Sequence, residues 1–176
     1  MNPVMREMKV DGRKENMESE FDVKINTSVL YDYMLHHTYM SFSGMFGNVV
    51  GALLIILACA YGGNWYLLIA GAIILLYTPC SLYLRAKKQA LSNPAFKNPL
   101  HYKMDENGVT VSQGEYQEFT EWNAVQKATS TNRSIFLYTS KVNAWIFPKR
   151  DLGEKKEEVI EMISTHVAPD KIKIKQ

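Results

Sequence analysis

The chain has 176 residues, 20 basic and 18 acidic side chains and a net charge of +2, yet no Asp, Glu, Lys or Arg occurs between Tyr33 and Leu84. A 52-residue block without formal charge, beside 124 residues that carry all 38 charges, argues against a uniformly soluble domain, a disordered chain and a nucleic-acid binder with a large basic excess. The block reads as membrane-embedded and the remainder as aqueous.

Residues 1–20 are polar, Met-rich and aperiodic, and read as a flexible leader. Phe21-Asp22-Val23-Lys24-Ile25 alternates apolar and charged residues, which is a strand pattern. Its apolar residues share one face, so the strand is expected to pair into the same sheet as the C-terminal strands. Asn26 or Thr27 can cap a following helix, whose stripe is Val29, Leu30, Tyr33, Met34 and His37. Residues 21–41 are therefore expected to form a strand and an amphipathic helix near the membrane surface. His36 and His37 are adjacent and diverge on a helix, which makes a poor metal pair.

Residues 42–84 predict a two-helix transmembrane hairpin. Phe42 to Tyr61 and Trp65 to Leu84 each supply the roughly 20 apolar residues that a hydrocarbon core of about 30 Å requires. Gly62-Gly63-Asn64 between them is a turn tripeptide. The turn is uncharged, whereas Arg85, Lys87 and Lys88 follow the second span. Basic flanks stay in the cytoplasm, so both termini are expected on the cytoplasmic side of the cell membrane. Tyr61, Trp65 and Tyr66 would form the outer aromatic belt. Cys59 and Cys80 differ in depth by roughly 18 Å, too far for a disulfide within the hairpin. Gly44, Gly47 and Gly51 recur at helical spacing, and small residues let helices approach closely in lipid. They would pack either against the partner helix of the hairpin or against a second copy in a homodimer. Pro79 removes an amide and is expected to kink the second span. The block lacks the charged groups that ion paths and proton relays use at depth, so the helices read as an anchor.

Residues 85–99 read as a juxtamembrane linker, with Ser92-Asn93-Pro94 stopping any helix. Residues 100–168 then predict a cytoplasmic β domain. Candidate strands lie at 101–104, 109–112, 116–122, 126–130, 135–138 and 144–147, with Asp105-Glu106-Asn107-Gly108 as a hairpin turn. A closing helix starts near Asp151, with Glu154 completing a capping box, and carries Leu152, Val159, Ile160, Ile163 and Val167 on one stripe. The fold class is a membrane helical hairpin plus an α+β domain. That domain is a meander of about five antiparallel strands with a C-terminal helix, of pleckstrin-homology-like form, an analogy that implies no ligand. Residues 169–176 form a basic tail.

Four short motifs stand in order in this half. They are Asp105-Glu106-Asn107-Gly108-Val109, Glu121-Trp122, Phe136-Leu137-Tyr138 and Pro148-Lys149-Arg150. With two spans ahead of them, the chain resembles the bacterial YcxB-like family from about Phe21 to the closing helix. The resemblance implies a bacterial membrane protein and brings no site residues with it.

The sequence contains no nucleophile elbow, phosphate-binding glycine loop, His-Glu-x-x-His or Cys-x-x-Cys. No enzymatic activity, catalytic residue, metal or cofactor is expected. Trp122, Trp145 and Phe147 read as core or sheet-face residues. Arg85, Lys87, Lys88, Lys149 and Arg150 are the candidate contacts for an anionic lipid or ligand. The alternatives are a collar that only sets topology and a solvated strand end. A basic group near an anionic leaflet is worth roughly 1 kcal/mol. The expected partners are the lipid bilayer, a protein bound by the cytoplasmic domain and a second copy, with no nucleic acid. The expected function is a membrane-anchored, non-enzymatic interaction or regulatory module whose β domain binds a protein or an anionic lipid. The alternative is a self-protection or immunity-type protein against a membrane-active peptide, and a membrane-bound enzyme comes third.

Overall fold

The computed structural model describes residues 18–174. Residues 1–17 of the expected leader and Lys175 and Gln176 of the basic tail lie outside the described residues. Strand β1 (Ser19–Val23) begins earlier than expected and takes in Ser19 and Glu20, which the composition had placed in the leader. The alternation that defines it runs backwards past Phe21. Ser19, Phe21 and Val23 are buried while Glu20 and Asp22 are exposed. Helix α1 (Thr27–Tyr39) follows, and Asn26 is its cap, its Oδ1 accepting from the Val29 amide at 3.1 Å.

Helices α2 (Phe42–Ala60) and α3 (Trp65–Ser92) form an antiparallel pair. Gly62 and Gly63 turn the chain with φ of +73° and +78°, values that a side chain would disfavour. The Asn64 Oδ1 caps α3 by accepting from the Tyr66 amide at 3.1 Å. By length and composition α3 can cross a membrane, and α2 reaches that standard together with α1, from which it is sharply bent. Helix α3 passes Pro79 without a break and continues to Ser92. Arg85 to Ser92 is therefore helix, where the sequence suggested linker. It stops at Ser92-Asn93-Pro94 as expected, the Asn93 Oδ1 accepting from the Ala95 amide at 3.1 Å.

The strands form two four-stranded sheets, in place of a meander of about five. The first has the order β1-β2-β3-β4, with β2 (Leu100–Met104), β3 (Gly108–Gln113) and β4 (Tyr116–Glu121), all antiparallel. Phe21 lies opposite Tyr102, so the N-terminal strand does complete a sheet of the C-terminal half. The second has the order β7-β6-β5-β8, with β5 (Lys127–Ser130), β6 (Ser134–Tyr138), β7 (Ala144–Pro148) and β8 (Ile172–Lys173). Strand β8 runs parallel to β5, so this part of the tail is an edge strand. A short 3-10 turn, Trp122–Ala124, separates the sheets. Trp122 is held there by its Nε1, which donates to the Asp105 carbonyl at 2.8 Å. The rings of Phe21, Tyr102 and Phe147 meet between the sheets at centroid distances of 5.0–5.7 Å. Burying a Phe side chain is worth about 1.5–3 kcal/mol.

The closing helix is two pieces, α4 (Lys149–Leu152) and α5 (Lys156–His166). Gly153, at φ +53°, breaks the run. Asp151 is not a cap. Its carboxylate accepts from the Lys24 amide at 3.0 Å and from the Arg150 Nε at 2.9 Å, which ties β1 to α4. Helix α5 buries Val159, Met162 and Ile163 against the sheets. Helix α1 is also part of this core. The rings of Tyr33 and His36 lie over Phe136 at 5.5 and 5.1 Å, and Tyr31 meets Tyr83 of α3 at 5.6 Å. Ala86 of α3 is fully buried in the same core, and Ala90 packs on it. The end of α3 therefore belongs to the β domain.

Candidate functional site

The five basic residues singled out from sequence fall into two separate places. Arg85, Lys87 and Lys88 are exposed on α3, outside the face that buries Leu82 and Ala86. Arg85 and Lys88 share an open groove of about 380 Å³ with Gln89, Ser92 and Asn93, which Lys87 does not line. The stripe follows from helical spacing, since residues three and four apart share a face.

Lys149 and Arg150 lie elsewhere, in a cleft of about 370 Å³ between α1, the β5–β6 turn and the β7–α4 junction. The cleft adds Arg133, Asp32, Ser28 and Asn132 to them. Arg133 was not singled out from sequence. The signal was available, because pairing of the two flanking strands places the residue before one beside the residue after the other. Ser134 lies opposite Pro148, and the Lys149 amide donates to the Arg133 carbonyl at 2.8 Å. The turn is further fixed by Thr131. Its Oγ1 accepts from the amides of Arg133 and Ser134, each at 3.1 Å, and lies 2.7 Å from the Asp32 Oδ2, to which it donates.

The glycines divide as well. A Cβ on Gly51 would lie 2.8 Å from the Leu75 Cγ and 3.2 Å from the Gly71 carbonyl, so Gly51 serves the hairpin's own interface. Gly44 approaches the Thr38 carbonyl at the corner between α1 and α2, and Gly47 faces open space. Cys59 and Cys80 are free and exposed. Trp122 and Phe147 are core residues, and Trp145 is half-buried against Tyr102. Asp105 acts as a turn former, its Oδ1 accepting from the amides of Asn107 and Gly108 at 2.7 and 3.1 Å. Among the described residues no group of three or more His, Cys, Asp or Glu is arranged to hold a metal ion.

The polar chemistry inside the domain is largely phenolic. Burial pushes the Tyr102 hydroxyl above the usual tyrosine range, with the Glu118 carboxylate adding to it. Burial also raises Tyr33, and takes Tyr138 up to about 12 with a further contribution from Tyr33. The Tyr33 hydroxyl donates to the Val142 carbonyl at 2.5 Å, and the Lys127 ammonium sits 4.2 Å above the Tyr138 ring. These groups cement α1 and β5 to β6.

Residues 105–164 match the family model of the YcxB-like proteins. The chain carries a YcxB-like domain. All four motifs noted in the sequence fall inside the matched stretch, which begins in the turn before β3 and ends within α5. The match is narrower than the expected resemblance, since β1, α1, the helix pair and β2 precede it. No curated protein and no solved structure matches the chain. The YcxB-like stretch holds Arg133, Lys149 and Arg150 but neither Arg85, Lys87 nor Lys88, so only one of the two basic places belongs to it.

Proposed function

We propose that this protein is a membrane-anchored, non-enzymatic interaction module with both termini on the cytoplasmic side, whose β domain is held against the anionic inner leaflet. The observation that carries this reading is the double character of α3. Its first part turns Ile69, Ile73 and Leu76 outward, and its last part is packed into the β-domain core through Ala86 and Ala90. Among the described residues, every large exposed apolar side chain except Tyr116, Phe119 and Val142 lies between Met40 and Leu91. In water such a surface would drive aggregation, and in lipid it is solvated. The pairing of α2 with α3 supports a two-span hairpin, and the two sheets closed by α5 support a pleckstrin-homology-like reading of the domain.

The continuity of α3 also sets a distance. From Leu84 to Ala90 the helix rises only about 9 Å, so the domain sits within about one Debye length of the leaflet. Arg85, Lys87 and Lys88 occupy that interval and face outward, where each would gain roughly 1 kcal/mol beside anionic lipid. Single-cysteine labelling of the full chain tests the arrangement, with Cys59 and Cys80 replaced by alanine and probes at Glu18, Asn64 and Gln113. An impermeant reagent outside intact cells should reach position 64 alone. Labelling of position 113 would overturn the topology. Energy transfer from a dye at position 113 to labelled headgroups should strengthen in anionic vesicles and weaken with salt. Indifference to both removes the leaflet contact.

A further inference from the structure

We propose that the cleft formed by Arg133, Lys149 and Arg150 with the first turns of α1 is a binding site for a phosphomonoester group. The proposal does not depend on the bilayer reading. Its first support is charge. The lining residues carry three basic groups and one acid, Asp32, and Asp151, which does not line the cleft, pairs with Arg150, so the net balance is positive and favours an anion. Three cationic side chains match the three terminal oxygens of a monoester, where a carboxylate or a diester presents two. Its second support is construction. The basic groups come from different elements whose backbones are locked before any ligand arrives, by the Lys149 amide on the Arg133 carbonyl and by the Thr131 side chain on the amides of Arg133 and Ser134. A backbone fixed in advance lowers part of the ordering cost of binding, and guanidinium groups match phosphate oxygens in pairs.

The neighbouring acids are each held by a further donor, a hydroxyl for Asp32 and a backbone amide for Asp151. Asp32 receives the Thr131 hydroxyl, and Asp151 engages Arg150 through Nε while its other oxygen takes the Lys24 amide. Ser28 and Asn132 add neutral donors at the rim. Ser28 lies in the first turn of α1, where the helix dipole favours an anion. The volume of about 370 Å³ falls in the range of about 300–1,000 Å³ found for small-ligand sites.

One phosphate chemistry has two sources here, a soluble ester or a lipid headgroup, and the test separates them. The full chain is placed in nanodiscs of neutral lipid and titrated with glycerol 3-phosphate. In parallel it is placed in discs containing phosphatidic acid, a monoester, or phosphatidylglycerol, a diester. Saturable binding of glycerol 3-phosphate assigns a soluble source. Preference for phosphatidic acid over phosphatidylglycerol, without soluble binding, assigns the headgroup. In either case Arg133→Gln with Arg150→Gln should weaken binding by about tenfold or more. Arg85→Gln with Lys88→Gln should leave glycerol 3-phosphate binding, and the preference for phosphatidic acid over phosphatidylglycerol, unchanged while weakening the leaflet contact, so the two readings fail separately. Asn132→Asp, at an exposed rim position, gives the same direction without removing an arginine. Absence of saturable binding in both formats, or equal binding by the parent, the arginine variant and Asn132→Asp, overturns the proposal.

Discussion

In the β domain, Val23, Tyr102, Met104, Phe136 and Phe147 are sealed from the surface, and the charged residues of β1 and β2 point outward. Along α2 and α3 the arrangement is reversed, with Phe46, Ile56, Ile73 and Leu76 more than 60% exposed. Between those two helices Gly51 receives Leu75 and Gly71 receives Ile55, and the two glycines let the backbones approach. One region is held together by burying apolar area from water. The other, in the proposed bilayer setting, gains little from that effect and relies on close packing. The two should therefore answer to different perturbations.

The largest separation should come from Phe147→Ala. The side chain is fully buried between the rings of Phe21 and Tyr102, and its loss should cost the β domain about 3–5 kcal/mol. Urea titration of the full chain in detergent should then show the sheet unfolding well before the helix pair, by tryptophan fluorescence against far-ultraviolet dichroism. A single coincident transition would break the comparison, because the buried end of α3 would then be coupling the regions into one unit.

A smaller effect is expected at the glycines. Gly51→Leu drives side-chain atoms into Leu75 and Gly71 and should destabilise the helix pair by about 1–3 kcal/mol. Gly47→Leu, with open space around it, should be neutral in the isolated protein. Thermal melts in detergent distinguish them. Loss of stability in both would mean that Gly47 also lies in an interface, as a second copy would provide.

The smallest effect is confined to alkaline pH. Tyr138 holds its proton to about 12, and Tyr102 and Tyr33 are also raised above 10.0. A raised folded value means that the stabilisation is complete below the ordinary tyrosine pKa and is lost as pH climbs through the folded values. The β domain should weaken between about pH 10 and 12, alongside the rise of phenolate absorbance. Tyr138→Phe should reduce that loss, and a slope unchanged by the substitution would reassign it.

The features legible in the sequence were local ones. Period-two alternation marked β1 and β3, the Asn26 cap and the Asp105 turn were readable from neighbours, and the missing charges outlined the helix pair. What escaped depends on partners far along the chain. The division into two sheets turns on Trp122 reaching the Asp105 carbonyl. Asp151 fits a capping pattern locally, but its carboxylate is taken by the Lys24 amide on the other side of the hairpin. The two-residue β8 has too few residues to show a period and exists only because β5 offers an edge. Arg133 entered the cleft through strand register alone, and its neighbours Lys149 and Arg150 stood out because they close a recognisable motif.

Strand β1 and its partner β2 stand on opposite sides of the helix pair in the chain, with Leu100 coming 77 residues after Val23. At about 5–20 residues per second of synthesis, β1 waits roughly 4–15 s for its partner to emerge. If the helix pair crosses a bilayer as proposed, only a chain whose intervening helices return it to the side it left can bring the two edges together. Closure of the first sheet would then be a check on insertion performed by the protein itself. A copy with one crossing missed would leave Phe21 and Val23 wet and the edge of β1 open, a species that quality-control proteases remove.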